Sequence, residues 1–349
     1  MTKIELESMV RRNIMLLQPY STARMEYSGS GGIFLDANEN PFGTFNRYPD
    51  LQQMELKRKI AEIKSVSANK LFISNGSDEA IDLLMRVFCR PGTDSIIVCP
   101  PSYGMYEVLA NINDVEICRV PLDRNFQPDK IAIINAGSKC LSQDGGKVKM
   151  LFLCSPNNPT GNNLNNIEKI AERFDGIVVV DEAYIDFSSA DSMISKTDLY
   201  PNLVVLQTLS KAWGLAAARV GMAIANETVI SLLNKIKPPY NVSLPNQMAA
   251  LNALDDIRGF EKRKNLIIEQ REWLLAQLKN IQCVRKVYPS DANFFLVEVN
   301  GADLIHRRLT EKKIITRNRS NYVKDCLRIT VGSPVENIIL IEELKKIML

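Results

Sequence analysis

Seven short β-rich runs punctuate the first two-thirds of the chain: Leu71–Ser74, Ser95–Cys99, Val115–Val120, Val148–Cys154, Ile177–Val180, Leu203–Gln207 and Val220–Ile224. Several are apolar on successive positions rather than alternate ones, the pattern of strands covered on both faces. Helical patterns lie between them. Asp78–Cys89 places Ile81, Leu84, Met85 and Phe88 on one stripe, and Ile167–Phe174 reads the same way. Strands alternating with helices predict an α/β domain with a mostly parallel, seven-stranded sheet between helices.

The pattern changes after Pro238-Pro239-Tyr240. A long helical stretch rich in Lys, Arg, Glu and Leu covers Asn246–Ile281. Strand-like Asn293–Val299, a helix at Ala302–Lys312, strand-like Cys326–Val331 and a closing helix at Val335–Met348 follow. These predict a smaller α+β domain at the C-terminal end. The expected division is an N-terminal arm over 1–30, a large domain over 31–245 and a small domain over 246–349. The arm carries a helix and Pro19-Tyr20, and is expected to pack on the small domain or on a partner subunit. Asn135–Lys149 is polar, contains Asp144-Gly145-Gly146, and reads as a surface loop.

Composition narrows the function classes. The chain has 349 residues, enough for two domains and a large core. A net charge of +3 is too small to suggest nucleic acid or an anionic membrane as partner. No apolar run approaches membrane-spanning length, and no signal-peptide pattern opens the chain, so a cytoplasmic location is expected. The seven cysteines, Cys89, Cys99, Cys118, Cys140, Cys154, Cys283 and Cys326, form no C-x-x-C pair and read as reduced, mostly buried thiols. The only histidine, His306, lies in a charged stretch. That excludes multi-histidine metal sites, makes no case for a catalytic histidine, and suits a surface helix; no metal is expected.

Candidate chemistry collects just past predicted strands. Gly76-Ser77-Asp78-Glu79 opens a helix, where free amides can hold an anion; an ordinary N-cap explains it equally well. Tyr103, in Pro100-Pro101-Ser102-Tyr103, offers a ring to stack on a flat heterocycle, or is simply a packed loop residue. Ser155-Pro156-Asn157-Asn158-Pro159-Thr160-Gly161 is a rigid turn in which Asn158 can donate to a phenolate oxygen. Asp181 ends an apolar run, with Tyr184 three residues on; a carboxylate there can keep a pyridine nitrogen protonated, or cap a following helix. Lys211 stands between Thr208, Ser210 and Arg219, and hydroxyls with a guanidinium are common phosphate ligands. Singly each signal is weak. In series, an amine for an aldehyde, an acid for a ring nitrogen and donors for a phosphate suit pyridoxal phosphate.

The order of these segments resembles the fold type I pyridoxal-phosphate aminotransferases, with an aspartate aminotransferase-like fold, over nearly the whole chain. Within them it resembles the histidinol-phosphate aminotransferase branch. The stretches specific to that branch are Gln18–Arg24, Leu35–Pro41, Asn46–Asp50, Gly76–Ala80, Thr316–Ser320 and Cys326–Gly332. The resemblance implies that Lys211 binds the cofactor covalently and moves the proton. It implies that Asp181 pairs with the ring nitrogen, that Asn158 and Tyr184 contact the ring oxygen, and that Tyr103 stacks on the ring. Ser77, Asp78, Thr208, Ser210 and Arg219 would hold the cofactor phosphate, with Tyr48 reaching it from the other subunit of a homodimer. Tyr20, Arg317 and Arg328 would bind the substrate phosphate, with Arg319 a rival for the place of Arg317. Arg328 would also hold the α-carboxylate of glutamate.

The implied reaction passes an amino group from L-glutamate to imidazole-acetol phosphate, giving 2-oxoglutarate and L-histidinol phosphate for histidine biosynthesis. Two enzymatic alternatives share the fold: an aminotransferase for aromatic amino acids and a decarboxylase of threonine phosphate type. A binding protein that keeps the fold without catalysis is disfavoured by the intact Lys211 and Asp181. Ala216-Ala217-Ala218 departs from the Gly and bulkier residues of many relatives, which alters packing but removes no chemical group.

Overall fold

The computed structural model describes residues 3–27, 31–139 and 145–347. Cys140, Asp144 and Met348 lie outside them. The large sheet holds β1 (Leu71–Asn75), β2 (Ser95–Val98), β3 (Glu116–Arg119), β4 (Val148–Cys154), β5 (Ile177–Asp181), β6 (Leu203–Thr208) and β7 (Val220–Ala225), in the order β1-β7-β6-β5-β4-β2-β3. Neighbours pair in parallel except β7, which runs against both β1 and β6.

The continuous apolar runs have the expected cause. Along β1, Leu71 and Ile73 enter one apolar cluster while Phe72 enters the cluster on the opposite face; along β5, Val178 and Val180 oppose Ile177 and Val179. Successive side chains point to opposite faces, so a strand buried on both sides needs every position apolar. Burying each such side chain contributes ~1.5–3 kcal/mol of transfer free energy.

A third cluster fills the small unit. Its antiparallel sheet has the order β10-β11-β9-β8, from β8 (Val284–Val287), β9 (Phe294–Val299), β10 (Arg317–Asn318) and β11 (Cys326–Thr330). The closing helix, Pro334–Lys346, starts on a full capping box between Ser333 and Glu336.

Two expectations are corrected. The predicted single helix over Asn246–Ile281 is two, Leu244–Asp255 and Ile257–Leu278. Asp256 leaves helical geometry and its carboxylate accepts the Gly259 N–H at 2.9 Å, capping the second helix. The predicted loop Asn135–Lys149 is not all loop, because the helix Lys130–Lys139 takes its first five residues and β4 its last two. Among the described residues no helix is long and apolar enough to cross a membrane.

Candidate active site

Strand direction brings the candidate residues to one place. The carboxyl ends of β1, β2, β4, β5 and β6 share one edge of the sheet, where ligands of open α/β sheets bind. Cys154 lies beside Asp181 and Asp181 beside Leu206, so the turn carrying Asn158 and the loop carrying Tyr184 leave from adjacent strand ends. The reversal of β7 brings its first residues to the same edge, with Val220 opposite Asn75 and Gly221 opposite Thr208. Arg219, just before β7, therefore faces the start of the helix Ser77–Phe88.

The result is one cleft enclosing ≈ 480 Å³, open mouth included, lined by Ser77, Asp78, Tyr103, Asn158, Asp181, Tyr184, Thr208, Ser210, Lys211 and Arg219, with Cys154 and Ala183. The helix Ser77–Phe88 has Gly76 at its N-cap and no side-chain cap, so the ordinary-cap explanation of Ser77 and Asp78 does not hold. Close packing forms this corner. A Cβ on Gly221 would sit 2.4 Å from the Gly76 carbonyl carbon and the Ser77 nitrogen, and one on Gly76, where φ is +72°, 2.4 Å from Arg219 Nη2. On the other wall, the Thr208 hydroxyl donates to Ser210 Oγ at 3.0 Å and receives the Ser210 N–H at 3.1 Å.

Lys211 opens onto the cleft, with Nζ 5.6 Å from the centroid of Tyr184. The enclosing walls, then the nearby Arg328 guanidinium, lower its pKa; both favour the neutral, nucleophilic amine. Asp181 is buried, and burial raises its carboxyl to about 6, against the opposing pull of two donors. Those donors are the Tyr106 hydroxyl at 2.8 Å and the Ala183 N–H at 3.1 Å.

The small sheet reaches the same cleft. Arg328 Nη1 donates to Asn158 Oδ1 at 2.6 Å, and Asn158 Nδ2 lies 3.5 Å from the Tyr184 hydroxyl. The guanidinium of Arg328 lies over Phe294, which also meets the Tyr184 ring edge-on. Arg317 is directly opposite Arg328 across the β10–β11 pair. Their side chains therefore share a face, and Arg319, two residues on, joins them. Burial first, then Arg328 and Arg317, pull Arg319 below the usual guanidinium value; burial does the same to Arg328. The buried Nε atoms of both Arg319 and Arg328 lack partners. Three crowded cations with spare donors make a site for an anion.

Two candidates, Tyr48 and Tyr20, stand apart, while Arg317 belongs with Arg319 and Arg328. Tyr48 does not line this cleft. It stacks on Tyr240, ring centroids 4.5 Å apart, beside a separate surface hollow. Tyr20 is exposed on the arm, and Arg317 is exposed too. His306 lies on the helix Ala302–Glu311, its Nδ1 3.1 Å from the Thr316 hydroxyl. The sequence reading passed over Tyr106. Tyr106 is fully buried on the helix Met105–Ile112, with its ring edge-on to that of Tyr103, and nothing in its spacing separates it from a core residue.

Residues 33–344 match the family Aminotransferase class I and II. Histidinol-phosphate aminotransferases from Cytophaga hutchinsonii and Parabacteroides distasonis are each 48% identical to the chain, covering 97% and 99% of it and 98% and 99% of themselves. The chain belongs to the class I and II aminotransferases, in the histidinol-phosphate aminotransferase branch. Its aminotransferase fold is shared with a histidinol-phosphate aminotransferase from Sinorhizobium meliloti, solved in complex with pyridoxal-5'-phosphate, at a TM-score of 0.78 and 21% identity over 89% of each chain. Among the described residues of this aminotransferase, no group of three or more His, Cys, Asp or Glu side chains is placed to hold a metal.

Proposed function

We propose that this aminotransferase transfers an amino group between L-glutamate and imidazole-acetol phosphate, in histidine biosynthesis, using pyridoxal 5'-phosphate held by Lys211. The observation that carries the reading is the single cleft in which an amine, a buried acid, an uncapped helix start and a cluster of arginines converge. The donor set fits the cofactor. The close approach of Gly221 to Gly76 seats the helix start, whose amides carry no side-chain cap and suit an anion, and Thr208, Ser210 and Arg219 would complete its shell. When bound, the cofactor supplies an aldehyde for the amino group and a protonated ring that draws electron density from the substrate carbon.

Each residue then has a task. Asp181, supported by Tyr106 and the Ala183 amide, holds the proton on the ring nitrogen. Tyr103 covers the ring, and Asn158 with Tyr184 donates to its oxygen. Lys211, its pKa lowered, would take the proton from the substrate Cα and deliver one to the carbon that was the cofactor's aldehyde. Arg328 holds the glutamate carboxylate and, with Arg317, Arg319 beside them and Tyr20, the phosphate of the other substrate. One anion pocket serving a carboxylate and then a phosphate allows the two half-reactions to alternate in one cleft.

The active form is a homodimer in the cytoplasm, with Tyr48 lent to the partner's phosphate site. The apolar side chains of Ile33, Leu35, Phe42 and Phe45 are largely exposed in a single copy, and a second copy covers them.

A spectrophotometric assay with histidinol phosphate and 2-oxoglutarate, beside phenylalanine as competing donor, tests the substrate. Preference for phenylalanine would make it an aromatic aminotransferase. Glutamate should bleach the cofactor's visible absorbance; if it does not, and CO2 is released from a phosphorylated amino acid, the protein is the decarboxylase. Lys211→Ala should abolish both turnover and that absorbance.

A further inference from the structure

A buried lysine that has no part in this chemistry lies behind the phosphate corner. Lys237 ends the helix Glu227–Ile236 and is only 8% exposed. Its ammonium is surrounded by oxygens: Leu51 O at 2.5 Å, Asn241 Oδ1 at 3.1 Å and Gln53 Oε1 at 3.4 Å. Burial, then the neighbouring Lys57, brings it down to about 8, so at neutral pH the charge persists. A buried charge of this kind is costly for a fold that could fill the space with methylenes.

The contacts around it form a frame. Asn241 donates from Nδ2 to Glu79 Oε2 at 2.7 Å and to Ile73 O at 3.1 Å. Glu79 in turn accepts the Asn75 N–H at 2.5 Å, and the Asn75 side chain donates to Asn241 O at 3.1 Å. Asn75 immediately precedes Gly76 and Ser77, and Glu79 is in the same helical turn as Ser77 and Asp78. On the other side, Gln53 holds a left-handed φ of +49° and donates to Asn241 Oδ1 at 3.2 Å and Leu51 O at 2.9 Å. The loop it fixes continues back to Tyr48, which stacks on Tyr240, the neighbour of Asn241.

We propose that Lys237 is a positioning residue for the cofactor-phosphate site. Through Asn241 it fixes Asn75 and Glu79, hence the amides of Ser77 and Asp78; through Leu51 and Gln53 it fixes the loop that presents Tyr48. This rests on the assignment of the Ser77 corner to the phosphate. One ammonium thus aligns two walls: the amide wall of its own subunit's site and the tyrosine lent to the partner's.

The experiment compares pyridoxal phosphate with pyridoxal, which lacks the phosphate, by absorbance titration of cofactor-stripped dimer. Lys237→Met should weaken pyridoxal phosphate roughly tenfold and leave pyridoxal unchanged, erasing much of the wild-type preference. Ile230→Val, a buried change on the same helix, controls for general loosening. Equal losses for both ligands, or the same selective loss in the control, overturn the proposal, as does an unchanged preference in Lys237→Met. Should that variant not fold, Asn241→Ala removes the side chain that joins Lys237 and Gln53 to Glu79 and Ile73, and the same selective loss is required of it. A wild type that binds both ligands alike would instead refute the phosphate assignment itself.

Discussion

Asp181 holds a charge that the folded chain alone does not stabilise fully. Burial lifts its carboxyl to about 6, while Tyr106 and the Ala183 amide pull it down. In the proposed complex a protonated ring nitrogen would supply the missing partner. In the cofactor-free protein the folded pKa lies above the unfolded one, so the contribution is full below pH ~4 and is lost as pH rises through about 6. Denaturation of cofactor-free wild type against Asp181→Asn should show wild type losing up to about 3 kcal/mol of relative stability across that window. Cofactor should abolish the loss; a flat difference between pH 4 and 7 would contradict it. Tyr106→Phe removes one hydroxyl and little volume. It should move the upper edge of the window upward and lower kcat ~10-fold, a loss of ~1–1.5 kcal/mol, with KM nearly unchanged. Steady-state kinetics together with the pH titration check this. Nine of the ten cleft residues were legible because they lie at or just past the end of an apolar run at the ligand edge; Arg219, just before β7, was read from its place eight residues after Lys211. Tyr106 was not, because a buried tyrosine on an amphipathic helix carries the same apolar signature as a core residue.

At the level of elements, strand runs were legible to within a residue or two, since burial on both faces makes most of their positions apolar. What the runs concealed was direction. Nothing in Val220–Ala225 distinguishes an antiparallel strand, yet the reversal of β7 is what carries Arg219 to the helix start. Nor did β8 or β10 announce themselves: Val-Arg-Lys-Val has two adjacent exposed charges at its centre, and β10 is two residues long. The break at Asp256 was hidden because an aspartate inside a polar helical stretch reads as surface until its side chain is seen to cap. The contact between β7 and the helix Ser77–Phe88 should be intolerant of even one methyl group. A Cβ on Gly221 meets backbone atoms on Gly76 and Ser77, which cannot swing aside as a side chain can. Gly221→Ala should therefore displace the helix start, cost about 2–3 kcal/mol of stability and weaken cofactor binding at least tenfold. Thermal unfolding and cofactor titration measure the two effects; full affinity would show that the close approach does not set the phosphate corner.

The whole molecule raises the question of what covers its arm. The region from Ile33 to Tyr48 is held less by a core than by one carboxylate: Glu39 receives Arg24 at 2.5 Å, Arg47 at 2.7 Å and the Tyr48 N–H at 2.6 Å. These bonds order the loop and so present Tyr48, while the apolar side chains beside it stay exposed. Such an arrangement is stable against a second copy. If Tyr48 serves the partner's phosphate site, two crippled variants should repair each other. Lys211→Ala has no amine anywhere, and Tyr48→Phe lacks the hydroxyl at both sites. In a mixed dimer both defects fall on one site and the other is complete. Random reassortment makes half the dimers mixed, each with one good site, so an equal mixture should recover about a quarter of wild-type activity. Were Tyr48 to serve its own subunit, every site in the mixed dimer would carry a defect and no activity would return. Denaturing, mixing and refolding the two variants, with the same treatment of each alone as control, separates these outcomes by a single rate measurement at limiting cofactor.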